Sequence, residues 1–532
     1  MIRSQPIRNA ISGCNRCSKG PSFTTSRLAA LSRQYSSVTS PPPSQQPDSN
    51  GPSKTLAQVL ADSIKASGPL SVSTFMRTCL LDPEQGYYAS ANAAGSSSDQ
   101  AGRDVLGARG DFITSPEISQ VFGELLAIFF IARWQTVMPD GQTRLVELGP
   151  GRGTLLADMI RTFARFSAFF NTIKSIHLVE TSPGLMALQH DAIEAALTQA
   201  GKKIVPADQE VLADDEVKLE WFPIADSVPV QNDTWSMVVA HEFFDALPTH
   251  IFERSADGFR EVLVDIERAK TGQSGITVLK PGDLTGAKSS TPSADSTDAK
   301  FRYVISSSPT PWSVLLAARN PRFQVLQPGQ RVEVSPEAWA TARKMGELVS
   351  GRKARAGKPE RESDEQRLER ERGESERLQT PSKGGAGLVI DYGDEKAFGG
   401  SFRAFKSHKI VDPLDAPGTA DLTCNVDFSY LKNALAMTDA RSLGPMFQSH
   451  FLQALGVEQR VEALVKNAKD AERGKEIDHA AKRLVDANGM GAQYKVLGIC
   501  SEAQTGGPSV KQVEEGVTAA DQDKVMCYPF EM

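Results

Sequence analysis

The chain has 532 residues, 40% of them hydrophobic, with 5 Trp and 24 Phe, enough for a large catalytic core with appended elements or for two domains. Its 59 basic residues face 65 acidic ones, and the first 47 positions take basic residues and no acidic ones, so the remainder is distinctly acidic. That balance argues against general nucleic-acid binding, which draws on clustered positive charge, and no apolar run approaches the roughly 18–20 residues of a transmembrane segment.

Residues 1–50 differ in kind from the rest. Arg3, Arg8, Arg16, Lys19, Arg27 and Arg33 stand among many serines, without the continuous apolar centre of a secretory signal. This reads as a mitochondrial transit peptide, with Arg33-Gln34-Tyr35-Ser36 as a processing site and Pro41 to Pro52 as a linker. Cys14 and Cys17 have metal spacing but no matching second pair, so no metal site or disulfide framework is expected.

The segment 54–140 predicts helices. Leu56, Val59, Leu60 and Ile64 share one face, then Phe75, Met76 and Leu80 another. After a Gly/Ser/Ala-rich loop, Asp111, Glu117 and Gln120 form a polar cluster around a helix start. Ser115 is the expected cap there, with Pro116 in the first turn. The helix that follows buries Val121, Phe122, Leu125, Leu126, Phe129 and Phe130.

The core expected over 141–250 opens with an apolar strand ending in Glu147, followed by Gly149, Gly151 and Gly153 and an amphipathic helix from Thr154. Glycine suits a backbone that turns sharply off a strand and lies bare against a ligand. A dinucleotide fold would carry a glycine where Thr154 stands, and its pyrophosphate would be repelled by Glu147. The cationic amino acid end of S-adenosylmethionine (SAM) is attracted to that carboxylate, so the SAM reading is preferred. A second strand, Ile176 to Val179, ends in Glu180, placed to take the hydroxyls of a ribose; Ser182 and Pro183 then open a helix. Further strands are expected at Lys218–Phe222, Trp235–Ala240, Gly387–Gly393 and Tyr494–Ile499. The alternation predicts an α/β fold: a Rossmann-like sheet of the class I SAM methyltransferase type, with N-terminal helices.

Short strands at Thr249–Glu253, Phe259–Ile266, Phe301–Ile305 and Arg331–Val334 predict an inserted β-meander over 251–345, with a disordered loop at 268–299. A charged insertion spans 346–384. Within it, residues 351–379 hold 17 charged side chains and two leucines, at most a solvated helix. Residues 385–532 would complete the methyltransferase fold.

Several of these stretches resemble the MidA family of SAM-dependent methyltransferases: Gly110–Gln120, Phe122-Gly123-Glu124, Leu145–Thr154, Glu242–Pro248, Leu388–Gly393, Pro417–Thr423 and Val426-Asp427-Phe428. The resemblance runs in order from about residue 54 to about residue 500. It implies SAM as cofactor and protein arginine N-methylation in the mitochondrial matrix. Symmetric dimethylation of a complex I subunit, needed for complex I assembly, is implied as well. One departure is His241, where the family carries Asn. Taking arginine as the implied nucleophile, Glu242 and Asp245 are the candidates for a carboxylate clamp that orients the guanidinium. Asp111, Glu117 and Gln120 would close over cofactor or substrate. His408, Asp412, Asp421 and Thr423 are weaker candidates for the substrate pocket. A scaffold acting without catalysis and a small-molecule methyltransferase are the competing readings.

Overall fold

Thr55 opens the first helix, α1 (Leu56–Ser67), with a reciprocal cap: its hydroxyl accepts from the Gln58 amide at 3.3 Å, and Gln58 Oε1 accepts from the Thr55 amide at 3.1 Å. The computed structural model describes residues 54–89, 114–267, 299–354, 363–379, 381–501 and 528–530. The leader over 1–50, Asp111, and all but the last residue of the 268–299 loop lie outside the described residues.

A two-residue strand β1 (Leu70–Ser71) leads into α2 (Val72–Leu81). The expected cap at Ser115 is not what forms. Ser115–Ile118 make a single turn whose cap position is Thr114, and the chain then extends at Ser119. The Ser119 hydroxyl accepts from the Val121 amide at 3.3 Å and opens α3 (Gln120–Val137). A serine caps best from an extended backbone; Ser119 has it, whereas Ser115 is already inside the turn.

The large sheet then builds from β2 (Gln142–Leu148), α4 (Thr154–Phe163), β3 (Ile173–Val179), α5 (Pro183–Gln199), β4 (Lys203–Val205), β5 (Glu216–Phe222) and β6 (Thr234–His241). As expected, Ser182 caps α5 and Pro183 fills its first turn. Four antiparallel-paired strands follow: β7 (His250–Ser255), β8 (Gly258–Ile266), β9 (Phe301–Ile305) and β10 (Arg331–Val334). The N-terminal β1 joins them by pairing with β8, a strand too short for any sequence pattern to reveal. The helix α6 (Pro336–Ser350) packs on the large sheet, and α7 (Asp364–Gln379) is the charged helix.

The remainder comprises β11 (Gly385–Asp394), β12 (Arg403–Lys406), β13 (Lys409–Val411), β14 (Asp421–Thr423), β15 (Val426–Asp427), α8 (Phe428–Leu435) and β16 (Ala440–Phe447). Helices α9 (Gln448–Ala454), α10 (Val457–Lys466) and α11 (Ala471–Val485) precede β17 (Tyr494–Ser501). The large sheet runs β16-β17-β11-β6-β2-β3-β5-β4, with β15 beside β11. Strands β11 to β4 along that order are parallel, and β17 and β16 are antiparallel.

Successive side chains of a strand point to opposite faces, and the core divides accordingly. Leu145, Met237, Val239 and Leu388 face α3, α4 and α5, whereas Val146, Leu148, Val238 and Val389 face α6 and α8. The sequence order reverses at β2, which has β3 on one side and β6 on the other. A crevice opens at the carboxyl ends of strands at such a point.

Candidate active site

At the carboxyl end of β2 the chain turns through Gly149, Gly151 and Gly153 with φ of 63, 55 and 81°, a region that L side chains enter only with strain. A Cβ on Gly149 would lie 2.8 Å from Phe243 Cδ2, and one on Gly153 would lie 3.2 Å from Gln189 Cα. Gly153 occupies the cap position of α4 without a side-chain acceptor, so the first amides of that helix point into the crevice.

A cavity of about 470 Å³ fills this crevice. Its wall contains Glu147, Gly149, Gly151, Thr154 and Glu180 from the expected cofactor set, Glu242 and Asp245 from the expected catalytic pair, and Glu117. Gly153 supports the loop from behind. Gln120 is not on the wall: its side chain is exposed and reaches Glu124 Oε1 at 3.5 Å. Glu117 is brought to the loop by the Thr154 hydroxyl, which donates to its carboxylate at 3.2 Å. Of the weaker candidates, Asp421 lines the cavity and Thr423 hydrogen-bonds the Tyr392 hydroxyl; His408 and Asp412 are elsewhere.

Charge on the wall is lopsided. Eight carboxyl side chains line it, against the guanidiniums of Arg77 and Arg152. Burial alone pushes Glu147 up to about 8, and its Oε2 is buried without a hydrogen-bond partner. An ammonium beside that oxygen would hold the carboxylate ionised. Glu180 Oε1 accepts from the Thr181 and Ser182 amides at 2.7 and 2.9 Å, and Oε2 accepts from Gln189 Nε2 at 3.2 Å. Its Oε2 keeps a lone pair for a hydroxyl. Beyond Glu180, Ile224 stands 56% exposed on the cavity wall, an apolar shelf suited to a flat base. These groups fit the ammonium, sugar and base of SAM.

The turn after β6 also lines the cavity. Glu242 has a φ of 49°, rare for a residue with a side chain, and its amide donates to the Ile390 carbonyl at 3.0 Å. Burial and the nearby Asp245 hold its carboxyl well above the usual range, and Glu242 Oε1 has no hydrogen-bond partner. His241 Nε2 stands 3.4 Å from that oxygen. Burial lowers His241 to about 3, so it is a neutral imidazole, packed 5.0 Å from the Phe122 ring. Asp245 Oδ2 accepts from the Tyr392 hydroxyl, while Oδ1 is buried and unpartnered.

Two residues that shape this end escaped the sequence reading. Asp391, fully buried on β11, accepts from the Phe244 and Asp245 amides at 3.0 and 3.3 Å and from its neighbour Tyr392 at 2.9 Å. It pins the turn that presents Glu242 and Asp245. Tyr392 then fixes the Asp245 carboxylate. Their sequence signals are a polar pair ending an otherwise apolar strand and a place in the Leu388–Gly393 stretch, neither of which points to this role.

Glycine loop, paired acids at two strand ends and a crevice at the switch point together define a SAM-dependent methyltransferase. A family described as "Putative S-adenosyl-L-methionine-dependent methyltransferase" matches residues 125–446, and the chain belongs to it. It is 33% identical, over 85% of its length and 88% of the relative's, to the mitochondrial protein arginine methyltransferase NDUFAF7 of Danio rerio. Against the Homo sapiens protein of that name the identity is 32%, covering 82% and 81% of the two chains. A COG1565 superfamily structure from Burkholderia thailandensis, bound to S-adenosyl-homocysteine, shares the fold with a TM-score of 0.59 and 20% identity, covering 86% of this chain and 96% of that one. Among the described residues no helix is long and apolar enough to cross a membrane, and no group of His, Cys, Asp and Glu is arranged to hold a metal ion.

Proposed function

We propose that this protein methylates an arginine side chain of a protein substrate in the mitochondrial matrix, with Glu242 and Asp245 as the catalytic acids. The observation that carries the reading is the pair of buried oxygens without a hydrogen-bond partner, Glu242 Oε1 and Asp245 Oδ1, on residues that line the same cavity as Glu180. Two such oxygens match the fork of a guanidinium, which offers five donors in one plane. The mitochondrial setting and the arginine substrate follow the names of the relatives. Symmetric dimethylation of a complex I subunit, in support of complex I assembly, follows from the family resemblance.

When bound, SAM would supply an electrophilic methyl on sulfur, with S-adenosylhomocysteine as the leaving group. The chain's own contribution is placement and proton handling. Glu147 would hold the ammonium end, Glu180 the sugar, and the loop amides the carboxylate. Asp245, fixed by Tyr392 and Asp391, would orient the guanidinium and concentrate positive charge away from the attacking nitrogen. Transfer would form a C–N bond as the C–S bond breaks, and that nitrogen would shed a proton. Glu242, whose carboxyl binds a proton more tightly than usual, is the acceptor beside it.

Mass spectrometry of mitochondrial protein methylation, with the gene present and deleted, tests the reading. One or more dimethylarginine sites should vanish on deletion, and Glu242→Gln should fail to restore them. Full restoration by the inactive variant, or loss of a methyl mark from a small molecule alone, would overturn it.

A further inference from the structure

Gln189 lies on α5 with no exposed surface, deep in an otherwise apolar helix face. Its amide makes three contacts. Nε2 donates to the Gly151 carbonyl at 2.8 Å and to Glu180 Oε2 at 3.2 Å, while Oε1 accepts from Trp221 Nε1 at 2.8 Å. An indole N–H can only donate, so the oxygen of the amide has to face Trp221. That fixes both N–H groups toward the glycine loop and the acid at the end of β3. The His190 ring stacks near the indole, with ring centroids 6.3 Å apart.

We infer that Gln189 is a positioning residue for cofactor binding. Held in one amide orientation by Trp221, it locks the Gly151 peptide and the Glu180 carboxylate into a single geometry. This rests on the reading that Glu180 takes the sugar hydroxyls of SAM. Glu180 is anchored on Oε1 by two backbone amides, which leaves the rotation of its second oxygen to be set from one side. Gln189 sets it, and the same amide restrains the loop on which the rest of the cofactor lies. The tight approach of Gly153 to Gln189 Cα makes the two helices α4 and α5 a rigid frame for that contact. No larger residue at 153 and no shorter side chain at 189 preserves it.

The full-length protein is titrated calorimetrically with S-adenosylhomocysteine, and turnover is measured at saturating SAM. Gln189→Leu should weaken binding about tenfold, the cost of one hydrogen bond to a charged group, with turnover at saturation little changed. Trp221→Phe keeps the volume but frees the amide to flip, and should weaken binding about threefold. In the Glu180→Ala background, Gln189→Leu should add far less than it does alone, because the two act through one contact. Unchanged affinity in Gln189→Leu or, should that variant not fold, in Trp221→Phe overturns the inference. So does full additivity of the Gln189 and Glu180 losses. A Glu180→Ala protein that binds as tightly as wild type instead refutes the sugar reading beneath it.

Discussion

Glu147 and Glu242 are buried carboxyls that pay for function with stability. Each holds its proton more tightly in the folded protein than an unfolded chain would. The folded state therefore loses ground as the pH climbs from the ordinary glutamate value of 4.5 upward, through about 8 for Glu147. Below that window the acids are neutral in both states and the loss is absent. Melting temperature measured from about pH 5 to about pH 8 should fall for the cofactor-free protein, and Glu147→Gln should flatten the slope. At neutral pH Glu147→Gln should melt roughly 2–4 °C higher while binding S-adenosylhomocysteine more weakly. A melting temperature lower than wild type at neutral pH would contradict this account. Glu242→Gln should show the same gain in stability. Its methyl transfer should fall by about 100-fold or more, the contribution typical of a positioned proton acceptor. Transfer by the wild type should rise with pH as Glu242 ionises, His241 being neutral throughout that range.

On the proposed reading, cofactor binding depends most on the turn between β2 and α4. Gly149 combines a φ of 63° with a Cβ position 2.8 Å from the Phe243 ring, so strain and collision add. Gly149→Val should abolish S-adenosylhomocysteine binding in titration calorimetry while the far-ultraviolet circular dichroism remains that of the wild type. The start of α3 offers a sharper comparison between two nearby serines. Ser119→Ala removes the cap hydroxyl and should cost about 1 kcal/mol in denaturant unfolding. Ser115→Ala removes a buried hydroxyl that has no hydrogen-bond partner, and should be neutral or slightly stabilising. Equal losses from the two would mean that Ser115 takes part in capping after all.

At the scale of the molecule, legibility followed locality. The glycine loop, the Glu180 strand end and the Glu242–Asp245 turn are each written within a few residues, as an apolar run broken by glycine, proline or acid. The pairing of β1 with β8 and the three-stranded set β12–β14 were not read, because short strands gain definition from partners far along the chain. Strand β16 was missed although it is eight residues long, its pairing with β17 being irregular between Leu443 and Met446. The support of the site was hidden for the same reason. Asp391 holds amides 146 and 147 residues away, and Gln189 reaches a carbonyl 38 residues away. Nothing adjacent in sequence shows which amides or carbonyls either residue holds.

The charged helix α7 tests whether an element legible as solvated is also dispensable. Its described side chains are almost all exposed. The chain on either side of it is already held together without it: the Ser382 hydroxyl donates to the Ser350 carbonyl at 2.7 Å, and the Lys383 amide donates to the Asn232 carbonyl at 2.8 Å. Helix α6 therefore ends, and β11 begins, at one closed neck. A Gly/Ser linker of about four residues can replace positions 355–380, and the shorter loop should stabilise by about 1 kcal/mol through its smaller closure entropy. Melting temperature and S-adenosylhomocysteine affinity should stay at or slightly above wild type. Methylation of a protein substrate should also persist, since the proposed catalytic acids and the rest of the cavity wall come entirely from other elements. If methylation fell while cofactor affinity held, the helix would be a docking arm for the substrate and not a solvated expansion of the loop.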